Sequence, residues 1–172
     1  MDTATTVAND THGLEDHAGK YLTFSLANEI YGIQILKVQE IIEMIDVTNV
    51  PRTPPFVKGV INLRGKVIPV VDLRLKFGME KKDVSRQTCI IVVYIQCGDS
   101  QLTMGMMVDA VSEVLDISGG SIAPPPDFGN QVDTAFLLGM AKSEDSVRML
   151  LDIDKVLSTQ ELTIIKTTGD AA

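Results

Sequence analysis

Short runs of alternating apolar and polar residues recur along this chain, separated by clusters of glycine, proline and asparagine. Tyr21-Leu22-Thr23-Phe24-Ser25-Leu26 has the two-residue period of a half-buried strand. Asn28-Glu29 predicts a turn, and Ile30 to Ile35 the return strand. Val38-Gln39-Glu40-Ile41-Ile42-Glu43-Met44 fits a third strand, although its apolar spacing also suits a short helix. Pro51, Pro54 and Pro55 then break regular structure, leaving Val50 to Lys58 as a loop with room for one helical turn. Two β-branched runs, within Gly59 to Ile61 and Lys66 to Val71, flank Asn62-Leu63-Arg64-Gly65, the pattern of a strand, a tight turn with Arg64 at the bend, and a second strand. Asp72 to Gly78 reads as a short helix, with Asp72 as its N-cap and Gly78 as its stop.

After a charged surface loop over Met79 to Gln87, three more strands are expected at Cys89 to Gln96, Leu102 to Val108 and Val111 to Ile117. Ser118-Gly119-Gly120-Ser121 and Pro124-Pro125-Pro126 make a second proline-broken loop. Leu137 to Ala141 and Val147 to Leu151 form a last hairpin. From Asp152, the spacing of Ile153, Val156 and Leu157, with Leu162 and Ile165 beyond, predicts a C-terminal helix with one apolar face. Residues 1–19 are polar and without apolar period, a disordered tail, and the end from Thr167 is expected to fray.

The two halves echo each other. Tyr31-Gly32 precedes Val38-Gln39-Glu40-Ile41 as Met104-Gly105 precedes Val111-Ser112-Glu113-Val114, with eight residues from Gly to Glu in each. Pro54-Pro55-Phe56 is matched by Pro125-Pro126 and Phe128. Gly59 stands thirteen residues before Asp72, and Gly139 thirteen before Asp152, so that Val67, Val70 and Val71 pair with Val147, Leu150 and Leu151. A repeat is usually one structural unit. Five short strands per copy are enough to curl into a small barrel that hides its edges. Two β-lobes packed side by side, with a groove between them, are therefore expected, the repeats starting near 20 and 89.

Charge separates the halves further. The net charge of −8 argues against nucleic acid as a partner, yet Arg52 to Arg86 holds nine Lys/Arg against three Asp/Glu. A basic segment in an acidic protein can steer an acidic protein surface into place, although a solvated face has the same composition. No apolar run is long enough for a bilayer span and no basic start leads into a signal segment, so a cytoplasmic chain is expected. Cys89 and Cys97 then read as reduced core thiols.

Catalytic constellations are missing. Both histidines, His12 and His17, fall in the tail, which leaves no Ser/His/Asp or Cys/His set. Phosphate-cradling glycine motifs and zinc spacings are also lacking. Asp72 and Asp152 are explained as helix caps, and Asp109, Asp116 and Asp154 as strand-end or surface carboxylates. No enzyme, cofactor or metal is expected. What stands out instead is Arg64. Its planar fork suits a carboxylate, and the second copy has only Lys142-Ser143-Glu144-Asp145-Ser146 at that turn. An arginine turn kept in one copy favours binding over folding as its purpose.

Several motifs carry a resemblance to a known family. Tyr31-Gly32-Ile33, Leu36-Lys37-Val38-Gln39-Glu40-Ile41, Phe56-Val57-Lys58-Gly59-Val60-Ile61-Asn62-Leu63-Arg64-Gly65 and Ile68-Pro69-Val70-Val71-Asp72-Leu73-Arg74 are similar to the CheW-like family of bacterial chemotaxis. The likeness covers residues 20–161, leaving 162–172 as helix end and tail. It implies a mainly β fold of two five-stranded SH3-like barrels sharing a hydrophobic core, with short helices and a C-terminal helix. It also implies a non-catalytic adaptor between methyl-accepting chemoreceptors and the regulatory domain of the histidine kinase CheA, working in the cytoplasm at receptor arrays without inserting into the membrane. By that resemblance Val38, Glu40, Gly59, Asn62 and Arg64 line the receptor groove, with Arg64 facing a receptor carboxylate. Barrel ends meet the kinase through residues that no motif identifies. An adaptor of the same family in a non-flagellar array, for twitching motility or biofilm control, is the alternative.

Overall fold

The computed structural model describes residues 18–97, 99–124, 136–143, 145–157 and 161. In chain order the strands are β1 (Gly19–Leu26), β2 (Glu29–Gln34), β3 (Val38–Glu43), β4 (Val57–Leu63), β5 (Lys66–Asp72), β6 (Cys89–Cys97), β7 (Ser100–Val108), β8 (Ala110–Ile117), β9 (Ile122–Ala123), β10 (Leu137–Lys142) and β11 (Val147–Leu151). One short helix, α1 (Leu73–Lys76), follows β5. The segment that suited either strand or helix, Val38–Glu43, is a strand, its residues alternating between half-buried and exposed.

Two sheets hold these strands. Their orders are β3-β6-β7-β5-β4 and β8-β1-β2-β11-β10-β9. The first has the expected five strands, and the second has five plus the two-residue β9. The sheets do not follow the repeats, however. Strands β3 to β7 form a middle lobe without interruption, whereas the outer lobe joins the β1–β2 hairpin to β8 through β11. Each lobe thus takes its first two repeat strands from one copy and its last three from the other. The two copies are structurally equivalent in this exchange. Val70 on β5 lies parallel beside Gly105 on β7, as Leu150 on β11 lies parallel beside Gly32 on β2. Burial explains the exchange. Each two-strand hairpin has one face in its own lobe and one between the lobes, and the sequence repeat records the copied unit rather than the layer it joins.

The apolar runs divide accordingly. Ile90 and Val92 point into the middle lobe with Ile61, Ile68, Val70 and Met107, while Ile91, Val93 and Ile95 point into a core shared by both sheets. Tyr21, Ile117, Ile122, Ala141 and Leu150 fill the outer lobe. The unbroken run in β6 is therefore apolar because both of its faces are covered. Burying each large aliphatic side chain contributes ~1.5–3 kcal/mol. A stack of rings, Phe24 on Tyr31, Tyr31 on Phe77 and Phe77 on Phe136, crosses from one lobe to the other at centroid spacings of 5.9, 5.9 and 5.3 Å.

Asp72 caps α1 as expected, accepting from the N–H groups of Arg74 and Leu75. Its own N–H donates to the Phe56 carbonyl at 2.7 Å, and Asp152 N–H donates to the Phe136 carbonyl at the same distance. Phe136, rather than Phe128, therefore stands where Phe56 does; Pro125, Pro126 and Phe128 lie outside the described residues. The start of the helix expected from Asp152 is instead a turn over Ile153 to Lys155, with Lys155 N–H donating to the Asp152 carbonyl at 2.9 Å. Ile153, Val156 and Leu157 are all buried in the shared core, so the apolar spacing was real but a turn satisfies it. Glu161 further on is helical, and the rest of that predicted helix lies outside the described residues, as do residues 1–17 with both histidines.

Two of the carboxylates read as surface groups turn out to hold the lobes together. The chain crosses between sheets twice, at the 3-10 turn Ile35–Lys37 and at Asp109. At the first crossing Lys37 Nζ meets Asp154 Oδ2 at 2.7 Å, and Asp154 Oδ1 also accepts from Gln96 N–H. At the second, Asp109 Oδ2 accepts from Arg74 Nη1 at 2.6 Å and from Ala27 N–H at 2.9 Å.

Barrel closure rests on glycine. The chain leaving β3 returns through Thr48, which exchanges both backbone hydrogen bonds with Val60 on β4 at 2.8 and 2.9 Å. A Cβ on Gly59 would lie 2.0 Å from the Thr48 carbonyl oxygen, and its φ of +145° excludes most side chains. In the outer lobe Gly139 does the same beside Ala123, 2.9 Å from that carbonyl oxygen. Gly59→Ala is expected to destabilise the protein by about 3 kcal/mol, measured by urea denaturation, because closure and a strained φ fail together. A midpoint equal to the parent's would show that Thr48 can move away freely.

Candidate functional site

The β4–β5 hairpin turns on two residues, since Leu63 pairs with Lys66. Arg64 has φ +51° and Gly65 φ +87°, so both central residues are left-handed, as the type I′ hairpin requires. Glycine adopts that conformation freely, but an arginine does so at a cost in strain. Asn62 locks the turn from inside, its Oδ1 accepting from Gly65 N–H at 2.8 Å. Sequence preference alone would place asparagine or glycine at position 64. A bulky residue held at positive φ on a hairpin tip points to a use for its side chain.

That side chain reaches across the barrel seam. Arg64 Nη1 donates to Glu40 Oε1 at 2.9 Å, and Nη2 donates to Glu40 Oε2, a two-pronged pair between hairpin tip and β3. Thr48–Val60 closure brings these elements together, since β3 and β4 otherwise lie at opposite ends of the sheet order. Gln39 Nε2 also donates to Glu40 Oε2, at 3.3 Å. Arg64's hydrogen bonds, followed by its charge, hold the Glu40 carboxyl below the usual carboxylate range despite some desolvation. The same pairing raises the Arg64 guanidinium further. Arg64 is 65% exposed and Glu40 26%, so the guanidinium is aimed by its partner while its outer side stays open.

Of the five residues predicted for the site, Glu40, Asn62 and Arg64 come together here. Val38 lies two residues before Glu40 on β3, half-buried against the shared core. Gly59 is buried further back on β4, where closure accounts for it, and Gly139 does the same work in a lobe without an arginine turn. Sequence reasoning missed the rest of the neighbourhood. Beside Arg64 lies a cavity of about 270 Å³ with Leu63 and Ile68 as its apolar lining and Gln39, Lys66, Thr103 and Arg64 as its polar one. Ile41, on the outward face of β3, is 44% exposed, and Leu36, in the crossing turn, is 90% exposed. An apolar residue in so short a connection was the one available signal for Leu36.

Among the described residues the arrangement holds no nucleophile–base pair. A fixed, outward-facing guanidinium beside half-exposed apolar groups can receive a carboxylate carried on an amphipathic surface. No helix among the described residues is long and apolar enough to cross a membrane.

A family model described as the CheW-like domain matches residues 20–161. The chain is 39% identical over 165 residues to a chemotaxis protein CheW of Klebsiella aerogenes, covering 96% of this chain and 94% of that protein. It is 32% identical to the chemotaxis protein CheW of Thermotoga maritima, covering 83% and 89%. The crystal structure of the scaffolding protein TtCheW from Thermoanaerobacter tengcongensis matches with a TM-score of 0.73 and 40% identity, covering 84% of this chain and 95% of that one.

If Arg64 is strained for the sake of its side chain, relieving it should stabilise the fold. Arg64→Asn, which suits a left-handed turn, is expected to raise the melting temperature by a few degrees even though the Glu40 pair is lost. A lower melting temperature would mean that the ion pair outweighs the strain.

Proposed function

The chain belongs to the CheW-like domain family, and from that premise we propose that it is a non-catalytic adaptor coupling chemoreceptors to the histidine kinase CheA. The observation that carries the proposal is the arginine held at positive φ and aimed by Glu40. The receptor's cytoplasmic tip is helical, and it presents a carboxylate to Arg64 and an apolar face to Val38, a helix-in-groove contact. Asn62 fixes the turn, and Glu40 keeps the guanidinium in place before the partner arrives, which lowers the ordering cost of binding. Gly59 contributes by closing the barrel behind the hairpin rather than by touching the receptor.

The basic segment favours the same orientation. Arg52 to Arg86 lies within or just after the β3–β5 region, so the middle lobe carries most of the positive charge of a chain with net charge −8. An acidic partner surface is then steered toward that lobe rather than toward the outer one. The adaptor works at receptor arrays, held there by its partners. The kinase's regulatory domain docks elsewhere, so that one chain holds both at once.

Co-sedimentation with clustered receptor cytoplasmic fragments, with and without the kinase, tests this reading. The parent chain is expected to carry the kinase into the pellet. Arg64→Glu should keep its circular dichroism spectrum yet lose more than about tenfold in receptor affinity, because like charges then face each other. Arg64→Lys should fall between the two, keeping the charge but losing the fork. Undiminished sedimentation of Arg64→Glu would remove the arginine from the interface.

A further inference from the structure

The cavity beside Arg64 is the mouth of the middle barrel. Leu63 pairs with Lys66 across the hairpin turn, and Ile68 follows two residues later on the same face of β5. Val70 lies parallel beside Gly105, and that register carried two residues back sets Ile68 beside Thr103 on β7. Leu63, Lys66, Ile68 and Thr103 all line the opening of about 270 Å³, together with Gln39 and Arg64. Lys66 is exposed, Leu63 and Thr103 are half-buried and Ile68 is buried, so the opening descends from a charged rim to an apolar bottom.

Arg64 alone does not make this mouth positive. Both prongs of its guanidinium go to Glu40, and two opposite charges in contact nearly cancel at a distance. Each Nη keeps one further N–H, enough to bond a carboxylate that has already arrived. Of the six lining residues only Arg64 and Lys66 are charged. Lys66 forms no ion pair among the described residues, so the net charge of the mouth is its own. The Thr103 hydroxyl has no hydrogen-bond partner among those residues either.

The duplication supplies an internal control. Lys66 directly precedes Val67, and Ser146 directly precedes the equivalent Val147. Thr103 stands two residues before Gly105, and Ile30 two before the equivalent Gly32. The outer barrel therefore closes with neither the lysine nor the hydroxyl, and folding does not require them in the middle one.

We propose that this mouth receives an acidic side chain of the chemoreceptor tip, a second carboxylate besides the one that faces Arg64, and that Lys66 supplies the charge that draws it in. The carboxylate meets the Lys66 ammonium and accepts from the Thr103 hydroxyl, while its methylene stem lies against Leu63. An uncompensated cation and a free hydroxyl donor favour an anion over a basic or apolar occupant. The inference rests on the adaptor reading and divides the work within it. Lys66 governs the rate of encounter, and the fork of Arg64 governs how long the complex lasts.

Stopped-flow kinetics of the full chain with a soluble receptor cytoplasmic fragment, at low and high salt, tests this division. Lys66→Gln is expected to slow association about threefold at low salt and to flatten its salt dependence, and Lys66→Glu to slow it more than about tenfold. Thr103→Val keeps the shape and should speed dissociation with little effect on association. Arg64→Lys should likewise act on dissociation. Among receptor fragments with single tip carboxylates changed to amides, one should lose no further affinity when combined with Lys66→Gln. Parent-like rates for Lys66→Glu and Thr103→Val, or the lack of any such coupled carboxylate, would overturn the pocket. Loss of binding by Arg64→Glu in the same assay would then leave the adaptor reading in place. Failure of the parent to bind would overturn that reading and the pocket with it.

Discussion

Everything in this protein depends on one packing constraint: two small sheets each need a cover, and each is the cover of the other. Strands β6 and β1 are the clearest expression of it. Ile91, Val93 and Ile95 on one, and Leu22, Phe24 and Leu26 on the other, meet in the shared core, while the alternate residues Ile90, Val92 and Tyr21 turn into their own lobes. A lobe taken alone would expose one whole apolar face, far more than a soluble surface carries. Exchange of strands between repeats follows, because a hairpin that belongs to one copy in sequence can complete the other's sheet only where the chain crosses between them.

The crossings are where such an exchange is vulnerable, and both are pinned by charge. Arg74 and Asp154 occupy equivalent places, each two residues after a capping aspartate, yet they carry opposite signs. Each has a partner of the matching opposite sign at its crossing, Asp109 for Arg74 and Lys37 for Asp154. Reversed polarity means that neither clamp can be satisfied by the other's partner. Removing one member of such a pair strands the other in a half-closed site, which costs far more than an exposed pair would. The clamps therefore discriminate between ways of joining two similar units, in addition to whatever net stability they contribute.

Much of this was readable in the sequence, and the failures have physical causes. The strands were visible because alternation and turn residues are local signals. Both glycine positions of the seam were noticed as repeat markers. Which sheet each strand would join was not visible, since Gly32 beside Leu150 and Gly105 beside Val70 are contacts between distant segments. The C-terminal helix was expected to begin too early, because Ile153, Val156 and Leu157 satisfy a helical period that a buried turn satisfies equally well, while Glu161 beyond them is helical. Arg64 and Glu40 were both picked out, but not as each other's partners. Their pairing spans twenty-four residues and exists only once Thr48 has closed the barrel on Val60. Arg74–Asp109 and Lys37–Asp154 escaped for the same reason.

Duplication gives a way to separate folding from function that a single-copy fold lacks. What both copies keep is needed to fold: Gly59 and Gly139 admit the returning chain, and Asp72 and Asp152 bind equivalent phenylalanine carbonyls. What one copy has alone must be explained otherwise. Glu40 and Glu113 are equivalent, but among the described residues only Glu40 meets an arginine, since the other copy has Lys142-Ser143-Glu144-Asp145-Ser146 where the middle lobe has the Arg64 turn. The strained φ at Arg64, the sealed oxygen of Asp72 and the excess of lysine and arginine all fall in that same lobe. Strain, a buried acceptor with no partner among the described residues and crowded like charges each oppose folding, and none is needed by a fold that the other lobe achieves without them. Their concentration in one lobe sets that lobe apart as the one that carries more than the fold requires.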